Sequence, residues 1–69
     1  MTIPLWNMLV KPTALIIREW DDTLEAVLAK LDGPDHALIL YPNDVCHRVS
    51  FDYLESITVE VRGRVHHLI

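Results

Sequence analysis

The sequence predicts an α+β domain: a small mixed sheet of four to five strands, in the order β-α-β-β-β, with one helix packed on one face. Three observations lead there. The stretch "DDTLEAVLAKLDGP" combines a helix start, a helical period and a stop. On either side, "TALIIREW" and "HALILYP" are rich in long and β-branched apolar residues, as strands are. Further on, "VCHRVSF" and "ITVEV" alternate apolar and polar residues with the period of a half-buried strand. A strand, a helix and a strand joined by short loops imply a right-handed crossover, which makes the two flanking strands parallel.

Residues 1–12 form an apolar N-terminal segment whose place in the fold the pattern leaves open. The first strand is expected over 13–19, with a helical start at residue 13 as the competing reading. The helix is expected over 22–32. Asp22 and Glu25 sit at capping-box spacing, acidic residues crowd its first turn, and Leu24, Val27, Leu28 and Leu31 make one apolar stripe. Gly33 and Pro34 then end it. Strands follow over 36–41 and 45–51, and residues 52–56 suit either a helical turn or an extended bend. Strands over 57–62 and 64–68 close the chain. Arg62-Gly63 between them reads as a hairpin turn or as a glycine bulge in one continuous strand.

With 69 residues, one domain over 1–69 is expected, and a chain this small buries only about 60% of the surface its unfolded form exposes. Yet 51% of the residues are hydrophobic, and the two central strands are apolar on both sides. One helix covers one face. Each apolar side chain left wet forgoes about 1.5 to 3 kcal/mol, so either residues 3–10 fold over the second face or a second copy does. The expectation is a homodimer, since isologous pairing is the commonest oligomeric solution. Its contacts, or those with an unidentified protein partner, are expected among Leu5, Trp6, Leu9, Ile16, Leu38 and Leu40. Trp6 and Trp20 both read as core or interface aromatics.

The formal charge is −4, and residues 1–44 carry most of the acidity. An acidic balance repels phosphate backbones, which weighs against nucleic acid as a partner. A local exception is conceivable on strand parity: Arg48, Arg62, Arg64 and His66 fall on one polar face, though without the aromatics on which single-stranded bases stack. The opening run lacks a basic start and is broken by Pro4 and Asn7, so neither a signal peptide nor a membrane span is expected, and the location is expected to be cytoplasmic.

No residues are assigned to catalysis or to a metal, and no cofactor is expected. Cys46 and His47 are strand neighbours that point to opposite faces, as are His66 and His67, and no CxxC, HxH or HExxH spacing occurs. With two glycines in the chain there is no phosphate-binding loop. The functional expectation is therefore a small non-enzymatic accessory or regulatory module that binds protein as a homodimer. Two alternatives stay open: a nucleic-acid-binding dimer using the arginine face, and an enzyme or metal-binding protein whose site is shared between subunits.

Overall fold

The computed structural model describes residues 5–65. A short helix α1 (Leu5–Met8) leads into four strands, β1 (Thr13–Glu19), β2 (Asp22–Leu31), β3 (His36–Leu40) and β4 (Cys46–Ser50). Helix α2 (Phe51–Ile57) and strand β5 (Thr58–Val61) follow. The strands form one five-stranded sheet in the order β4-β3-β2-β1-β5, and every pairing is antiparallel. The α+β class and the small sheet covered on one face stand as expected, with two helices in place of the one expected. The position of the main helix and the strand directions do not.

The expected helix over 22–32 is strand β2. Glu19 pairs with Asp22 across a two-residue turn, and both turn residues, Trp20 (φ 52°) and Asp21 (φ 68°), lie in the left-handed region. That is the backbone of a tight hairpin whose twist matches its strands. Once the turn reverses the chain, β2 pairs along its length with β1 and then with β3, satisfying the backbone groups of three strands at once. The side chains permit it, because Leu24, Ala26 and Leu28 recur with period two, while Leu24 and Leu28 also stand on the helical stripe. Gly33 (φ +80°) and Pro34 end a strand as readily as a helix, and here they open the turn into β3, closed by Asp32 N–H donating to the His36 carbonyl at 2.8 Å. The βαβ crossover is thereby replaced by a four-stranded meander, and the strands over 13–19 and 36–40 are not even neighbours.

Residues 52–56 resolve as helix. Ser50 caps α2 by accepting the Tyr53 N–H at 3.2 Å, and Leu54 and Ile57, three apart, turn onto the sheet. Val65 bridges to Leu9 rather than forming a hairpin with β5, and the Val10 N–H donates to the Arg64 carbonyl. Gly63 marks a close approach, for a Cβ there would stand 1.4 Å from the Thr13 hydroxyl oxygen. Residues 66–68 of the last expected strand, and with them His66 and His67, lie outside the described residues.

Both helices pack on the same face of the sheet. Leu15 and Ile17 of β1, Ala26 and Leu28 of β2, Ala37 and Ile39 of β3 and Val49 of β4 join Trp6, Leu9, Leu54 and Ile57 in one buried cluster. Trp6 and Leu9 of the N-terminal segment therefore add to the covered face, and among the described residues the second face stays open.

Candidate functional site

Alternation along each strand assigns the open face. Ala14 and Ile16, between the buried Thr13, Leu15 and Ile17, point to it, and their cross-strand partners must share it. Ala14 pairs with Val27, Val27 with Leu40 and Leu40 with Cys46, so a row of apolar side chains crosses four strands. On one side of that row Glu60, Ile16 and Glu25 form a second row. On the other side Lys30, Leu38 and Arg48 form a third. A bulge at Ala29 sets this pattern, because it shifts β2 by one residue and brings Lys30 opposite Leu38. The face thus carries Glu60 and Glu25 on one side of the apolar row, with the exposed Arg18 of β1 beyond them, and Lys30 and Arg48 on the other, with an apolar side chain in the middle of each of these two charged rows. Among the described residues none of its side chains is buried.

The residues expected to make contacts divide between three environments. Ile16, Leu38 and Leu40 stand on the open face. Leu9 (1% exposed) and Trp6 (6%) are core residues, so Leu9 is withdrawn from any contact surface. Leu5 and Trp6 line a second, apolar groove of about 510 Å³ beside Phe51, Val59 and Val61. The expected arginine face is not assembled. Arg48 lies on one edge strand and Arg62 just beyond the other, and each is held by a carboxylate, Arg48 by Asp32 at 2.7 Å and Arg62 by Glu60 at 3.2 Å. Arg62 and Arg64 do meet around a hollow of about 200 Å³, whereas His66 lies outside the described residues.

A polar cluster that sequence reasoning missed sits on the covered side, at the tip of the β1–β2 hairpin. The Glu19 carboxylate accepts from the Tyr41 hydroxyl at 2.7 Å and from the Tyr53 hydroxyl, tying β1 to the end of β3 and to α2. The hydrogen bond from Tyr53, then that from Tyr41, holds the Glu19 carboxyl below its usual range, against partial burial. Burial, and then donation to Glu19, pushes the Tyr41 phenol well above its ordinary value; donation to Glu19 raises Tyr53 as well. The His47 ring meets Tyr41 edge to face, with centroids 5.0 Å apart. Strand parity carried a signal for this cluster: Glu19 continues the inward series Leu15, Ile17, and Tyr41 the series Ala37, Ile39. Trp20, expected as a core or interface aromatic, is instead 93% exposed on the turn.

Among the described residues no three His, Cys, Asp or Glu side chains gather to hold a metal ion, and Cys46 is exposed. No helix among them is long and apolar enough to cross a membrane. Comparisons with family models, with curated proteins and with solved structures give no match.

Proposed function

We propose that this chain is a small accessory or regulatory protein-interaction module that works as a homodimer, the two copies meeting through the open faces of their sheets. The observation that carries the reading is the striping of that face. A two-fold axis lying along the apolar row turns the strand direction over and keeps the strand order. The row of Ala14, Val27, Leu40 and Cys46 then packs on its own copy, and the acidic row of one subunit meets the basic row of the other on β2, the strand that the two rows share. Glu25 and Lys30 share β2, so Glu25 of one subunit faces Lys30 of the partner subunit in both directions. A face of one sign would repel its copy; here Glu60 and Arg48 are already answered within the subunit by Arg62 and Asp32, and the Glu25–Lys30 pair, made twice across the axis, supplies the complementarity. Strand spacing makes the face about 19 Å wide, on the small side for a stable interface, which suits a dimer that dissociates at micromolar concentrations.

The test is a charge swap read by sedimentation at protein concentrations from about 10 to 200 μM, the range in which an interface of micromolar affinity assembles. The wild type is expected to be dimeric at the upper end. Glu25→Lys and Lys30→Glu each disfavour the dimer by opposing like charges, and the double swap restores it. Leu40→Asp yields a monomer with unchanged far-UV circular dichroism. A monomeric wild type throughout, or a double swap no better than the single ones, overturns the reading.

A further inference from the structure

Trp20 occupies the first position of the β1–β2 turn at φ 52°, with its indole 93% exposed. A side chain in the left-handed region costs about 1 to 2 kcal/mol, and asparagine or glycine would hold the same turn with less strain. This indole gives the core nothing in exchange, and strain kept at an exposed position points to use.

The indole stands at one wall of an open groove of about 620 Å³ that Glu19, Asp22, Tyr41, His47 and Tyr53 also line. The groove therefore joins three aromatic rings of tryptophan and tyrosine with two carboxylates. Aromatic faces are negative, and a cation within about 6 Å of a ring centroid is attracted to them. Glu19 reinforces the attraction. Its two tyrosine donors fix its position, and a carboxylate with about four lone-pair directions still has acceptor capacity left. The one arginine on the lining, Arg48, is already held by Asp32 at 2.7 Å.

We propose that this groove binds the side-chain cation of a lysine or arginine presented by a segment of a partner protein, stacked on Trp20 and answered by Glu19 and Asp22. The residues that would hold the cation, Trp20, Glu19 and Asp22, lie at the hairpin tip and on the covered side, while Arg48, His36 and Ser50 of the lining reach round the β4 edge from the other face, so the inference does not depend on whether the chain dimerises. Its open shape suits a long side chain reaching in from another surface, and its shallow walls provide no enclosure for a free small molecule.

Capped tripeptides with arginine, lysine, norleucine or glutamate between two glycines, titrated to about 50 mM, test it, since a single exposed cation on an aromatic face binds only weakly. With arginine and lysine, the Trp20 indole and the amides of Glu19 to Asp22 shift in the magnetic resonance spectrum, with at least about five-fold tighter binding than norleucine. The Trp6 indole serves as the internal control and stays in place. Trp20→Ala weakens binding at least about five-fold without lowering the melting temperature, and Trp20→Phe, which keeps a ring face, retains most of it. Asp22→Asn weakens it by a smaller factor. Equal binding of norleucine, undiminished binding by Trp20→Ala, shifts centred on Asp52, Glu55 and Glu60 instead, or no shift at all overturns the assignment.

Discussion

Val27 and Leu28 are neighbours on the central strand and stand on opposite sides of the sheet. Leu28 is fully buried under the helices, with Leu15, Ile17 and Ile39 about it in the same cluster, whereas Val27 is half-buried among side chains of the sheet alone. The covered face holds the fold together through one contiguous apolar cluster. The open face has the same kind of residues in its middle row and charges of both signs beside them. The difference teaches that apolar content alone does not separate a covered face from an open one in so small a chain. What separates them is whether a helix packs there, and whether charged side chains flank the apolar row.

The largest effects fall on the covered face. Leu28→Ala is expected to destabilise the fold by about 2 to 5 kcal/mol, since a fully buried side chain leaves a cavity that its neighbours fill only in part. Val27→Ala, measured by urea unfolding in dilute solution, is expected to cost under about 1 kcal/mol. Repeated at high protein concentration, the gap between the two narrows if the proposed dimer forms, because dimerisation would add to stability only for the chain with an intact open face. Equal costs at low concentration would erase the distinction between the faces. Gly63→Ala comes next. A Cβ placed 1.4 Å from the Thr13 oxygen forces β1 and the segment after β5 apart, at about 1 to 3 kcal/mol, visible as a lower unfolding midpoint.

The same comparison explains what was legible in the sequence. Four of the five strands fall where alternation or apolar runs put them, and the two-sided apolar character of 13–19 and 36–41 points to a second face that needs a cover, which residues 5–9 do not supply because Trp6 and Leu9 join the first. The helix over 22–32 was misplaced because Leu24 and Leu28 are four apart, a spacing that satisfies a helical stripe and strand alternation alike. Asp22 and Glu25 likewise read as a capping box when taken locally. What decides between the two is a turn with two left-handed residues, and neither Trp20 nor Asp21 is the glycine that announces such a turn. The real helix was obscured by its seven-residue length, although Ser50 at its N-cap and the Leu54–Ile57 spacing were present. The Glu19 cluster joins residues 22 and 34 positions apart, which no local pattern reports.

That cluster yields a subtler, pH-dependent difference between the two ends of the covered face. Glu19 has its folded pKa depressed, so its contribution is fully present above its unfolded pKa and is lost as pH falls through the folded one. Tyr41 and Tyr53 are raised, so theirs is present below the unfolded phenol value of about 10 and is lost as pH rises beyond it. The urea midpoint should therefore run flat through neutrality and fall at both extremes. In a Tyr41→Phe, Tyr53→Phe double variant both arms flatten, since Glu19 loses its donors and the phenols are gone. An unchanged profile would mean that the three groups are not coupled in solution.

The smallest expected effect returns to the turn that makes β2 a strand. Asp21 sits at φ 68°, where an L side chain crowds its own carbonyl by about 1 to 2 kcal/mol. Asp21→Gly removes that crowding but gives the unfolded chain more freedom, worth about 0.5 to 1 kcal/mol in the other direction. The net is a gain of roughly 0.5 to 1 kcal/mol by difference. Gly33 provides the mirror experiment. It lies at φ +80° with nothing within 4 Å of where a Cβ would stand, so Gly33→Ala introduces backbone strain and no clash. A loss of about 1 kcal/mol is expected there. Both are read from urea unfolding of the same parent protein, and their opposite signs are the point of pairing them. If Asp21→Gly destabilises while Gly33→Ala also does, the Asp21 carboxylate is contributing to the hairpin, and the strain at that turn is confined to Trp20.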